Sequence, residues 1–199
     1  MRIIQVLVIS LISLSAFAQG TNVFESVTIG FKVTKPSEWQ FVTAEENLEN
    51  LKKVQMNDEE FRQLMLKYST APLVAMMKYP EPFDDLNPSF KVNIKPLGQL
   101  KGTDPKKILG LILPQFKKMF QDFNLVQPPT DTTVGKLPAA YMRINYSLAI
   151  PDGRIFPTAS ELWIVPRDDY FFMIGAGTRQ DEKTGSRAEI TKILSSVEM

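Results

Sequence analysis

The chain contains no cysteine and no histidine. Without cysteine there is no disulfide, no thiolate nucleophile, no thiolate metal site and no lipid-modified cysteine. Without histidine there is no Ser-His-Asp triad, no HExxH metalloprotease and no imidazole acid or base. An excess of one charge is missing too. The 23 basic side chains nearly balance the 22 acidic ones, whereas general nucleic-acid binding needs a basic excess to displace counterions. Nucleic acid is therefore not an expected partner. Long hydrophobic runs are also scarce. What remains is a 199-residue chain, 44% hydrophobic, with a sizeable core and few routes to chemistry.

The one apolar run of note lies at the start. Arg2 precedes Ile3 to Leu14, interrupted by Gln5, Ser10 and Ser13 and closed by Ala16-Phe17-Ala18. A positive start, a short apolar stretch and small residues before the cut define a secretory signal peptide, residues 1–18, cleaved after Ala18. The run is shorter than the ~20 apolar residues that a spanning helix needs. Cleavage takes Arg2, reducing 23 basic side chains to 22 against 22 acidic. The expectation is a neutral, monomeric single domain, residues 19–199, that is periplasmic or extracellular and has no transmembrane segment in its mature form.

Residues 27–34 alternate, with Val27, Ile29, Phe31 and Val33 on one side, and read as a half-buried strand. After a turn at Lys35-Pro36-Ser37-Glu38, Trp39-Gln40-Phe41 returns beside it. Thr43 with Glu46 forms a capping box opening a helix with Leu48, Leu51 and Val54. Asn57 with Glu60 opens a second, with Phe61, Leu64, Met65 and Tyr68 on one stripe. Strands follow at Pro72–Tyr79 and Ser89–Pro96. Asp104 then caps a long basic helix over 105–123, with Pro105 in its first turn. Its apolar face runs through Ile108, Leu109, Ile112, Leu113, Phe116, Met119, Phe120 and Phe123. Pro114 and the carbonyl that it leaves unpaired lie on the wet side, so the helix bends without breaking.

Beyond Pro128-Pro129 the pattern is antiparallel β. Residues 140–150 pair with 154–165 through a hairpin at Pro151-Asp152-Gly153. Pro166 to Asp169 turns the chain into Tyr170–Ile174, which is apolar on both faces and reads as a central strand. Ser186 with Glu189 suggests a third capping box before a C-terminal helix with Ile190, Ile193 and Leu194. The fold class is α+β, a three-layer α/β/α sandwich around a mainly antiparallel sheet.

Pairing Ile150 with Arg154 sets Arg143 opposite Glu161 and Tyr141 opposite Trp163. Pairing Val165 with Tyr170 then extends an aromatic row, Tyr141-Trp163-Phe172. Arg143, Glu161, Trp163 and Tyr141 are thus candidate binding residues, alternatively an ordinary cross-strand ion pair at the rim of a core. Charge is also segregated along the chain. Glu45, Glu46, Glu49, Asp58, Glu59 and Glu60 cluster early, and Lys91, Lys95, Lys101, Lys106, Lys107, Lys117 and Lys118 later. The basic helix, through Lys106, Lys107, Lys117 and Lys118, could dock on an anionic partner or membrane surface; a solvated face is the plainer reading. Asp84-Asp85-Leu86-Asn87 lacks the spacing of a calcium loop, and Gly175-Ala176-Gly177 is not a phosphate loop. No catalytic residue, metal site or cofactor is assigned.

Gly30-Phe31-Lys32-Val33 leading to Pro36 and Trp39, the Tyr170–Ile174 strand and the closing Ile193-Leu194-Ser195-Ser196-Val197 together resemble the PsbP-like superfamily. Its α/β/α sandwich is shared by photosystem II PsbP, the nuclear Ran-binding Mog protein and secreted bacterial relatives. The resemblance implies a non-catalytic accessory or binding protein that engages a protein or cell-envelope component, and it transfers no functional residue. The alternatives are a carboxylate- or metal-dependent hydrolase, or a peripheral binder of anionic membrane surfaces through helix 105–123.

Overall fold

The computed structural model describes residues 22–52 and 71–199. The expected signal peptide and the second capping-box helix lie outside the described residues. Strands β1 (Val23–Ser26) and β2 (Phe31–Thr34) form a hairpin, with Val23 opposite Thr34 and Ser26 opposite Phe31. The strand expected over 27–34 is therefore shorter, because Val27 to Gly30 turns. Gly30 sits at φ +63°, where a side chain would be strained and would also meet the Arg167 guanidinium at 3.1 Å. Arg167 Nη1 donates to the carbonyls of Ile29 and Gly30, both at 3.1 Å, and clamps the turn. Phe31 and Val33 are buried, but Val27 is 85% exposed. The alternation thus identified the inward side of β2 and overran its start.

Strand β3 (Gln40–Phe41) does not return beside β2. It pairs with β4 (Val74–Met77), which continues to β5 (Ser89–Pro96). Trp39 decides this: its ring is fully buried, and Nε1 donates to Glu189 at 3.3 Å. The remaining strands are β6 (Gln121–Val134), β7 (Leu137–Ala149), β8 (Ile155–Arg167) and β9 (Tyr170–Arg179). All seven strands from β3 to β9 join one antiparallel sheet in the order β3-β4-β5-β9-β8-β7-β6. Three α-helices stand among the described residues: α1 (Ala44–Lys52), α2 (Pro105–Met119) and α3 (Ser186–Ser195).

Alternation along the strands builds two cores. Trp163, Val165, Phe172 and Ile174 pack with Phe31, Val33, Trp39 and, from α3, Ile190 and Ile193. Their neighbours Ile164 and Phe171, with Ala140 and Met142, pack with Ile108 and Leu109 of α2. Residues that alternate on one strand face opposite ways, so α2 and α3 lie against opposite faces of the sheet. As expected, β9 is a central strand, between β5 and β8.

Two helix boundaries correct the sequence reading. Asp104 caps α2 by accepting from the Lys106 amide at 2.8 Å. The helix then runs through Pro114 but ends at Met119 rather than 123. Phe120 is extended, its ring stacked 3.8 Å from that of Tyr146, and β6 starts at Gln121, before Pro128-Pro129. A short apolar run fits a helical or a strand period equally, and packing on Tyr146 goes with the strand. As the sheet edge, β6 tolerates prolines that cannot donate, and its register slips around them. The Ser186–Glu189 capping box is not formed. Gly185 occupies the cap position in a left-handed conformation, Ser186 Oγ turns back to Thr184, and Glu189 serves Trp39 and Lys78. The Thr43–Glu46 box is present, with both backbone amides satisfied at 2.7 and 3.2 Å.

Phe172→Ala should cost about 3–5 kcal/mol in urea denaturation, because the core under α3 can collapse only partly onto the cavity. Val27→Ala, at a position with the same sequence parity as Phe31, should stay within about 0.5 kcal/mol.

Candidate functional site

The β7–β8 register is as expected. Arg143 is opposite Glu161 and Tyr141 opposite Trp163, and the Ile150 amide donates to the Arg154 carbonyl. The next register differs by two residues. Arg167 pairs with Tyr170 and Val165 with Phe172, so Asp168-Asp169 alone make the turn, with Asp168 at φ 54°. The clamp of Arg167 onto the β1–β2 turn accounts for the extra strand residues. Trp163 therefore faces Ile174, and Glu161 faces Ala176. Tyr141 and Trp163 remain 5.1 Å apart, but Phe172 leaves the row and packs 5.2 Å from Phe31.

Arg143 and Glu161 also take other partners. Glu161 accepts from Arg187 Nε at 2.7 Å and from the Tyr141 hydroxyl at 3.0 Å. Arg143 Nη2 reaches Glu182 at 3.4 Å, in the turn before α3. The sequence reading missed both Arg187 and Glu182. One signal was available for Arg187: a cation in the first turn of a helix opposes the helix dipole, which suggests a carboxylate holding it. Within the cluster, Arg143 Nε and Asn145 Oδ1 are buried and unpartnered among the described residues. Burial first, and then the charge of Glu161, pushes the Tyr141 hydroxyl up to about 12. Chemically the cluster is closed, because both oxygens of Glu161 are engaged.

The basic helix divides. Lys106 turns inward along the surface to Asp131 at 2.7 Å, while Lys107, Lys117 and Lys118 are exposed along with Leu111. Of the acidic group, Glu45, Glu46 and Glu49 stand on α1, and Asp58 to Glu60 lie outside the described residues. The Asp84-Asp85 loop is tied down by arginines. Asp85 pairs with Arg179, and Arg154 donates to the Asp84 carbonyl at 2.7 Å. Arg179 also forks onto both oxygens of Asp181 at 2.9 Å and holds that carboxyl well below the usual range. No group of three or more potential metal-ligating acids occurs among the described residues.

A feature with no sequence signature lies on the α2 side of the sheet. Between the C-terminal half of α2 and strands β5, β7, β8 and β9 lies a cavity of about 340 Å³. Phe116 and Met119, Met142, Ile144 and Leu162 wall it, with Gly175 and Lys91 at one side. A neighbouring cleft of about 570 Å³, between the Asp84–Asn87 loop and the β7–β8 hairpin, also reaches Lys91.

No protein-family model matches the chain, and no curated protein matches it in sequence. Solved structures do. LpqN of Mycobacterium tuberculosis, described as involved in cell envelope biogenesis, aligns at 14% identity over 84% of this chain and 82% of its own, with a TM-score of 0.50. The cyanobacterial PsbP (CyanoP) of Synechocystis aligns at 10% identity over 89% and 91%, with a TM-score of 0.51. The Ran-binding protein Mog1p of Saccharomyces cerevisiae aligns at 10% over 88% and 93%, at 0.48. At such identities the likeness is one of fold. The chain is an α+β protein with the PsbP-like fold, as its N-terminal and central-strand residues suggested.

Burial pushes the Tyr141 hydroxyl from its ordinary value near 10 up to about 12 in the folded chain. Stability linked to this proton should be intact below pH ~10 and be lost as pH rises toward ~12. Tyr141→Phe should remove that slope from urea midpoints measured across the range. Glu161→Ala should cost about 1–3 kcal/mol at neutral pH, since it strips the acceptor from Tyr141 and Arg187.

Proposed function

We propose that this chain is an exported, non-catalytic accessory or binding protein of the cell envelope. In this reading residues 1–18 are removed, and residues 19–199 form one monomeric three-layer α/β/α domain that engages a protein or envelope component. The carrying observation is the closure of Glu161 by Arg187 and Tyr141. A hydrolase needs carboxylates converging unpaired in a cleft, whereas the strongest acidic candidate here is spent on cohesion. The PsbP-like fold supports the reading, as does the envelope role named for LpqN, with which the chain shares that fold. No helix among the described residues is long and apolar enough to cross a membrane.

A second reading is favoured by α2 itself. Lys107, Lys117 and Lys118 flank Leu111, which is 62% exposed although the helix has a buried face for its other large apolar residues. Such a surface suits peripheral contact with anionic lipid headgroups.

Fractionation of cells producing a C-terminally tagged chain should recover it outside the cytoplasm with Gln19 as its first residue. Full-length protein retained in the cytoplasm would defeat the export reading. Sedimentation with vesicles containing anionic lipid separates the two surfaces. Binding that is lost when Lys106, Lys107, Lys117 and Lys118 become glutamine supports the lipid reading, and no sedimentation leaves the field to a protein partner.

A further inference from the structure

The cavity beneath the C-terminal half of α2 falls within the size range of small-molecule sites, roughly 300–1,000 Å³. Three features give it a chemical character. Its walls are mainly apolar, supplied by Phe116, Met119, Met142, Ile144 and Leu162, with Asn87, Ser89, Thr158, Ser160 and Glu161 also contributing to the lining. Its side toward β9 is Gly175, whose backbone is not left-handed. A Cβ built there meets nothing nearer than Leu162 Cδ1 at 3.9 Å. Glycine inside a central strand weakens the strand, and its usual warrant is a tight conformation or the close approach of another group. Here the missing side chain only preserves open room.

The third feature is Lys91, the direct cross-strand partner of Gly175. It lines both this cavity and the adjoining cleft, and no carboxylate or other acceptor pairs with it among the described residues. Burial alone holds its ammonium below the ordinary lysine value. By contrast Lys78, on the neighbouring strand β4's exit, has Glu189 at 2.8 Å. A half-buried cation with no bonded acceptor is costly, and it stands at the margin of a mainly apolar chamber.

We propose that this cavity binds a single-chain carboxylate amphiphile, with its tail between α2 and the sheet and its carboxylate on Lys91 Nζ. A small anion would satisfy Lys91 and leave the apolar walls wet, while a hydrocarbon would fill the walls and leave Lys91 unpaired. Only the combination matches both. The site goes beyond the accessory-protein reading and does not depend on export.

Calorimetric titration of the full chain with octanoate, decanoate and dodecanoate, each below its micellar concentration, tests this. Binding should be one to one and tighten roughly tenfold for each added pair of methylenes while the tail still fits. Lys91→Met should weaken decanoate about tenfold or more and leave 1-decanol unchanged. Gly175→Val, a substitution suited to a strand, should fill the room and abolish both while keeping the wild-type urea midpoint. If Gly175→Val fails to fold, the Lys91→Met contrast between acid and alcohol still decides. The proposal is overturned if decanoate does not bind, if Lys91→Met weakens acid and alcohol equally, or if neither variant changes binding.

Discussion

The structure depends on burying both faces of β9. Phe172, Ile174 and Ala176 feed the core under α3, while Phe171 and Met173 feed the one under α2. A strand apolar on both faces must lie in the interior of a sheet, and antiparallel pairing to β5 and β8 on either side satisfies its backbone. Once β9 is central, each helix can cover only one face. The N-terminal hairpin and Trp39 then complete the α3 side. Shifting β9 by one residue would exchange the two cores, and for that reason its register is tightly held.

That register is held from outside the strand as much as from within. Arg167 extends β8 past Pro166 by gripping the carbonyls of Ile29 and Gly30. The hairpin is thereby reduced to Asp168-Asp169, and the N-terminal turn is fastened to the far end of the sheet. The same economy governs the charged cluster on the α3 face. Arg143 and Glu161 face each other, yet each bonds to the α3 region, Arg143 to Glu182 and Glu161 to Arg187. These pairs dock the C-terminal helix against the sheet, and this use of the charges argues for cohesion over chemistry. On the opposite face α2 packs mainly over β6, β7 and β8, and its C-terminal half borders the cavity beside β5 and β9. Lys91 and Gly175 meet there, and there the fold leaves unused space.

Much of the fold was legible. Period-two alternation marked β5, β7, β8 and β9 because half-buried strands must alternate. Asp104-Pro105 marked the start of α2 because a cap acceptor followed by a residue with no amide is a local solution to a local problem. Reading failed where two local rules agreed and a distant contact chose otherwise. Phe120 and Phe123 fit the helical arc, yet the stacking of Phe120 on Tyr146 goes with an extended chain. Ser186 and Glu189 match a capping box, yet Trp39 and Lys78 claim Glu189. Of the candidate site, the pairing of Arg143 with Glu161 across the strands was readable. Their actual partners were not, because Glu182 and Arg187 reach them through the docking of α3.

Lacking cysteine and histidine, the chain has no disulfide or imidazole to draw on. By itself the sequence determined strands β5, β7, β8 and β9, the start of α2, the central position of β9 and the exclusion of thiol and imidazole chemistry, because each follows from residue type or short-range periodicity. Only the tertiary structure decided which partners Glu161 takes, which register joins β8 to β9, and that Lys91, with no acceptor among the described residues, borders a mainly apolar cavity. Those outcomes depend on residues far apart in sequence, and no local pattern records how distant side chains compete for one another.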